Sequence, residues 1–385
     1  MKKLFAPHLE SETLFHEIEG MEHPFHYRNK VVSPYAGGKK LSGKGNRNSS
    51  KSGRNATRYE IQCGMYAPGS HRIISTDQCL IENALAKKII LTIRSLMPKF
   101  GIEPYHEKSG SGFLRHALIR VGEQSGEVLV TLVTNEQAFK VAKPFVRELV
   151  KRHPQITTVV QNVNTRQTNV ILGQEEKTLY GPGFILDELC GLRFRLSSQA
   201  FYQVNVKQAE LLYRKAVELA GLAGSETLID AYCGTGTIAL SAAKGIDGGS
   251  GACRVIGIEE NAAAIRDAKN NARHNGVTNA EFIKGDAGCV MSDLAEQGAQ
   301  VEVVILDPPR AGASEAFLKA LGTLRPNKLV YVSCNPETQA RDVSILKQQG
   351  YSLREIQPID MFPHTEHVES IVLLKACDTL DGSNS

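Results

Sequence analysis

From Leu196 onward, short apolar runs alternate with amphipathic stretches. The runs at 227–232, 255–260, 301–306 and 329–333 read as strands, and the last is apolar on both faces, as expected of a strand buried in a parallel sheet. Between them, apolar positions recur at helical spacing. Ala209, Leu212, Ala216 and Leu219 lead to a stop at Gly221, and a helix is expected from Thr237 to Lys244. Asn261 caps another helix that closes at Gly276. A further helix starts at Ser314, another after the 329–333 run continues through Leu346, and two strand-like runs finish the chain. Repeated strand–helix units predict a parallel sheet covered on both faces.

Before Leu196 the texture is mixed. Strands are expected at 59–66, 113–121, 127–133 and 157–164, with a glycine-containing hairpin loop at 122–126. A helix over 77–97 carries Ile81, Leu85, Ile89, Ile93 and Leu96 on one face and stops at Pro98, and a second spans 139–152. The expectation is an α/β chain, with a β-rich α+β domain at 1–195 and a strand–helix domain at 196–385. Residues 1–58 show little periodicity. Within them, 37–58 is a Gly/Ser/Asn/Lys/Arg tract with seven basic residues and no acidic one, and it reads as a mobile insertion. It serves either as a solvated linker or as a grip on phosphates. At 24–30, Phe25, His26 and Tyr27 interleave with Arg28 and Lys30, which suits stacked bases and phosphates. A strand start with a solvated edge explains that run nearly as well.

Composition changes this picture little. The 385 residues are 42% hydrophobic and 22% charged, with a net charge of +4. Two domains fit in that length, and the mild basicity permits a polyanionic partner without requiring one. Eight cysteines without a framework spacing suggest reduced thiols. The start lacks the apolar stretch of a signal peptide, and no run is long enough for a membrane span. A cytoplasmic monomer is the expectation. His364 and His367, like His23 and His26, stand three apart without a second ligand pair, so no metal site is expected.

The candidate chemistry lies at strand ends. Asp230 to Thr237 forms a Gly234-Thr235-Gly236 turn between strand and helix, where bare backbone can approach a ligand. Glu259 ends the next strand, where a carboxylate can accept ribose hydroxyls, and Asp286 ends a third. A tight turn without ligand is the plainer reading. Ala239 stands where a third glycine would complete a dinucleotide fingerprint. A phosphate-free nucleoside such as S-adenosylmethionine therefore fits better than a dinucleotide. The run 329–333 ends in Cys334-Asn335-Pro336, and the run before it ends in Asp307-Pro308-Pro309-Arg310. Pro336 suits the first turn of a helix. A cysteine so placed is either a small core residue or a thiol on the rim where open α/β sheets carry chemistry.

Taken together, Asp307 to Arg310, Ser333 to Pro336 and His364 to Glu369 resemble the RNA uracil-C5 methyltransferases, which form 5-methyluridine in tRNA or 23S ribosomal RNA. Phe201 to Asn205, Asp230 to Gly236, Tyr27 to Lys30 and Ala67 to His71 match the same family. The resemblance implies a Rossmann-like methyltransferase domain behind an RNA-facing domain. It also implies Cys334 as the nucleophile that adds to uracil C6, and Glu369 as the base that removes the C5 proton. Gln203, Tyr232, Glu259, Asp286 and Asp307 match S-adenosylmethionine-binding positions. Glu369 also reads as an edge-strand charge, and Gln203 as an ordinary polar residue near a helix start. Two features of many family members find no match. There is no room for a leading β-barrel module, and only Cys79 matches a ligand of the iron–sulfur cluster, so no cluster is expected. Two other readings stay open: a cytosine-C5 RNA methyltransferase, and an RNA-binding or folding protein with a vestigial methyltransferase domain.

Overall fold

The structure is a computed structural model that describes residues 1–40 and 59–377. Most of the basic tract, 41–58, lies outside the described residues. The chain forms two compact units. One comprises Phe25–Asp187 with Leu196–Gln199, and the other comprises Met1–Pro24, Glu188–Arg195 and the chain from Ala200 onward.

A short helix α1 (Lys2–Phe5) and a two-residue strand β1 (Leu14–Phe15) open the chain. The N-terminal unit then runs β2 (Lys30–Lys40), β3 (Tyr59–Cys63), β4 (Met65–Tyr66), β5 (Ile73–Ile74), α2 (Ala84–Leu96), β6 (Leu114–Val121), β7 (Val128–Thr134), α3 (Ala142–Arg152), β8 (Ile156–Val163) and β9 (Glu175–Tyr180). Its six-stranded sheet has the order β3-β2-β6-β7-β8-β9, and β4 and β5 form a separate ribbon. All neighbours pair antiparallel except β7 and β8. The apolar faces of α2 and α3 pack into one core with the sheet, through Ile89, Ile93, Phe145 and Leu149. The expected helix over 77–97 begins only at Ala84, because Asn83 caps it by accepting from Leu85 N and Ala86 N. Two strands of the six-stranded sheet escaped the sequence pattern: the apolar pattern of β2 is interrupted by Pro34, Gly37 and Gly38, and β9 is an almost wholly exposed edge strand. In the aromatic–basic run at 24–30 the Tyr27 ring is buried, while the Phe25 and His26 rings are exposed.

The chain crosses between units through the hairpin β10 (Ile185–Leu189) and β11 (Leu192–Leu196). There follow α4 (Val206–Ala220), β12 (Thr227–Ala231), α5 (Thr237–Lys244), β13 (Arg254–Glu259), α6 (Ala262–His274), β14 (Ala280–Lys284), α7 (Ala287–Glu296), β15 (Val303–Leu306), α8 (Glu315–Leu324), β16 (Lys328–Ser333), α9 (Pro336–Gln348), β17 (Tyr351–Ile359) and β18 (Glu369–Ala376). Gly221 ends α4 in the left-handed conformation, as its sequence position suggests. The sheet order is β1-β17-β18-β16-β15-β12-β13-β14. Its strands run parallel except β18, which is antiparallel to both β16 and β17. Thus β16 is central but flanked by one parallel and one antiparallel neighbour.

A single cut at residue 195 does not describe these units. Residues 1–24 belong with the C-terminal unit, because β1 extends its sheet through Leu14↔Glu355 and Phe15↔Ile356. The Thr13 hydroxyl donates to Leu353 O at 2.8 Å and reinforces that edge. Among the described residues, no helix is long and apolar enough to cross a membrane.

The core of the N-terminal unit is tested at Phe145, which is fully buried and edge-on to Phe100 at 5.7 Å. Phe145→Ala is expected to lower unfolding stability by about 3–5 kcal/mol in urea titrations. A loss below about 1 kcal/mol would contradict this packing.

Candidate active site

Strand register brings the candidate residues together. The last β16–β18 rung pairs Ser333 with Ser370, so the next step along the antiparallel pair sets Cys334 beside Glu369. On the parallel side, Leu306 pairs with Tyr331 and Ala231 with Leu306, while Ala231 also pairs with Ile258. Asp307, Tyr232 and Glu259 therefore follow the ends of adjacent strands along one rim.

The local chemistry fixes each strand end. Asn335 caps α9 by accepting from Glu337 N at 3.1 Å, and its Nδ2 donates to Arg310 O at 3.0 Å. Pro336 occupies the first turn, as expected. Gln339, fully buried in α9, donates to Tyr331 O at 2.8 Å and accepts from the Ser370 hydroxyl at 2.6 Å. That side chain ties the cysteine strand to the glutamate strand.

Glu369 is 4% exposed. Burial raises its pKa well above the ordinary carboxylate range, and the neighbouring Asp307 raises it further while Arg310 opposes both. Burial likewise pushes Asp307 up. Two such carboxyls retain a proton at pH values where exposed acids have lost theirs. Cys334 is half-buried. Burial and then Glu369 and Asp307 raise its thiol, whereas a hydrogen bond with Arg310 favours the thiolate. An open cavity of about 450 Å³ adjoins it, lined by Arg310, Cys334, Asn335, Glu366 and His367 among others.

The turn after β12 is built on its neighbours. Asp230, buried, accepts from Ala239 N at 2.8 Å and so ties the strand end to α5. Gly234 has φ +54° and empty space where a Cβ would lie, which leaves its backbone bare to a ligand. Gly236 has a packing reason as well, since a Cβ there would lie 3.0 Å from the Phe282 ring. Glu259 accepts from Gly234 N at 3.1 Å and from Asn261 N at 2.7 Å. Asp286 is exposed and caps α7 through Cys289 N at 3.0 Å. Tyr232 adopts φ +67°, its ring 5.5 Å from that of Phe317. Gln203 is hydrogen-bonded to the fully buried Tyr213 phenol, whose pKa is raised by burial and then by Asp307. A rim of carboxylates with a bare glycine turn suits ribose hydroxyls and a cationic ligand, and disfavours a pyrophosphate. The residues present fit S-adenosylmethionine.

The sequence did not single out Tyr213 or Gln339, and it assigned Asp230 and Arg310 no role. Arg310 ends a quoted motif and was within reach. Tyr213 and Gln339 lie on helices with no signal that separates them from packing residues. Among the described residues, no group of three or more His, Cys, Asp or Glu could hold a metal ion.

The tRNA (uracil-5-)-methyltransferase family matches residues 125–377. The chain belongs to that family. As a tRNA (uracil-5-)-methyltransferase family protein, it is an S-adenosylmethionine-dependent RNA methyltransferase. It is 40% identical over 356 residues to an uncharacterized RNA methyltransferase of Halalkalibacterium halodurans, covering 92% of this chain and 72% of the relative. A second, from Clostridium acetobutylicum, is 41% identical over 368 residues, covering 96% and 75%. Among solved structures, the Pyrococcus abyssi tRNA (uracil-54, C5)-methyltransferase in complex with S-adenosyl-L-homocysteine is similar. It has a TM-score of 0.73 at 28% identity, covering 97% of this chain and 81% of that one.

The burial of Glu369 has a cost that pH can reveal. The unfolded Glu369 carboxyl ionises near 4.5, and the folded one higher, so the folded state binds more protons between the two values. Stability from this group is therefore present at low pH and is lost as pH rises through that window. Glu369→Gln is expected to raise the melting temperature at pH 8 and to leave it unchanged at about pH 4. Equal shifts at both pH values would contradict the raised pKa.

Proposed function

We propose that this family member methylates C5 of a uridine in structured RNA, tRNA or 23S ribosomal RNA, through a covalent bond between Cys334 and C6 of the base. The strand register that sets Cys334 beside the buried Glu369 carries this reading. Uracil C5 is a weak nucleophile, and a thiolate added at C6 places electron density on it. Gln203, Tyr232, Glu259, Asp286 and Asp307 would hold S-adenosylmethionine, which supplies the methyl group as an electrophilic sulfonium substituent. Arg310 would favour the Cys334 thiolate, and the thiol proton would leave to the Asp307–Glu369 pair or to solvent. The ionised carboxylate of Glu369 would then take the C5 proton, whose electrons reform the ring double bond as the sulfur leaves C6. The target uridine has to leave its stack for Cys334 to reach it. The N-terminal unit is the proposed RNA-facing part.

A cytosine target would share the thiolate step, but the motif carrying Glu369 resembles that of uracil enzymes. A vestigial domain would have no need of the acid pair, which destabilises the fold at neutral pH.

Incubation with labelled S-adenosylmethionine and total RNA from cells lacking the protein should yield 5-methyluridine at one position. RNA carrying 5-fluorouridine there should trap a covalent adduct, because fluorine cannot leave as a proton does. Cys334→Ala should abolish the adduct and slow turnover by on the order of a thousandfold or more. Glu369→Gln should accumulate adduct on unmodified RNA. Equal trapping by Cys334→Ala would remove the nucleophile assignment.

A further inference from the structure

The N-terminal unit holds a cavity of about 580 Å³, a size that admits a nucleotide. The turn at 67–71 and the loop at 168–171 line it, together with Tyr66, Glu107, Arg115 and His116. The 67–71 turn, like Tyr27 to Lys30, is a family-like motif that the reaction leaves without a role.

Two side chains in its wall are buried with unused polar atoms. Arg115 is 2% exposed, and its Nη1 donates to Asn164 O and Arg166 O, each at 2.7 Å. Its guanidinium lies 4.3 Å over the Tyr105 ring. Its Nε has no hydrogen-bond partner, and no carboxylate pairs with it among the described residues. His116 is 6% exposed, with Nδ1 unpartnered. Burial first, and Arg115 second, push its pKa down to about 4, so the ring is neutral at pH 7 and offers one donor and one acceptor. Tyr66 stands edge-on to His71 at 5.5 Å and to His116 at 6.2 Å. Edge-on rings keep flat faces that a base can stack on.

We infer that this cavity takes an unpaired nucleobase of the RNA, a nucleotide other than the one methylated. The inference rests on RNA as the substrate. A base suits the wall better than a phosphate does. His116 is neutral, and Glu107, which accepts from the Tyr66 hydroxyl at 3.3 Å, sets a carboxylate against the single cation. Base edges carry both donors and acceptors, and arginine pairs well with the acceptor edge of a purine.

The test uses the full chain and total RNA from cells lacking the protein, with methyl incorporation as readout. His71→Ala and Tyr66→Leu are expected to raise KM for RNA about tenfold, the effect of losing one stacked base. The kcat value and the affinity for S-adenosylhomocysteine by calorimetry should stay within about twofold. Tyr66→Phe, which keeps the ring and loses the hydrogen bond to Glu107, should restore KM. Ultraviolet crosslinking of the wild type should place nucleotides on peptides covering 66–71 or 168–171. Unchanged KM in both variants, or crosslinks absent from those peptides, overturns the inference. Failure of the wild type to transfer methyl groups at all counts against the proposed function, and the crosslinks are scored independently of it.

Discussion

A buried glutamate and a half-buried aspartate stand where they cannot both ionise cheaply, and the proposed chemistry depends on that. Asp307 and Glu369 are each pushed up by burial, and each carboxylate raises the other groups beside it. The same pair raises the Cys334 thiol. The three groups therefore compete for negative charge within one small region. A proton held by the pair relieves the thiolate, and a thiolate consumed by bond formation frees the pair to ionise. The proposed nucleophile and base would thus be coupled electrostatically, and Arg310 is a cation that favours the thiolate.

One reversal in the sheet makes the arrangement possible. Parallel strands deliver their C-terminal ends to a common rim, which accounts for Asp307 and Cys334. Only an antiparallel strand can bring its first residue to the same rim, and Glu369 is the first residue of β18. The acid arrives because β18 is inserted between β16 and β17 rather than added at an edge. Its register has no tolerance, since a slip of one residue would turn Glu369 to the other face. Gln339 resists that slip by bonding both strands from α9.

The pattern of apolar runs was enough to foresee the strand–helix alternation, the cap at Asn261, a helix from Ser314 and the stop at Gly221, because these signals are local. Glu259, Asp286 and Asp307 were legible for the same reason, each at the end of an apolar run, whereas Glu369 opens one and was marked by the family resemblance. The edge strand β9 was not, as it buries almost nothing and so shows no alternation. Nor was the assignment of residues 1–24, where two residues of β1 add to a strand more than three hundred positions away. Tyr213 and Gln339 act through partners distant in sequence, and no local pattern marks such a role.

The two arginines singled out by the structure show how burial divides their tasks. Arg310 sits on an exposed loop whose shape is fixed from beneath. Asp342, fully buried, accepts from the Tyr331 hydroxyl at 2.7 Å and from Ala313 N at 2.9 Å, while Thr338 and Asn335 hold Arg310 O. The backbone is fixed and the guanidinium can follow charge on the sulfur as it develops. Arg115 is the reverse case. Its guanidinium is clamped between a ring and two carbonyls, so it cannot move toward a charge and can only present an edge of fixed geometry. A mobile cation answers a change in charge during a reaction, whereas an immobile one discriminates shape. The first suits the proposed nucleophile, and the second the proposed recognition pocket.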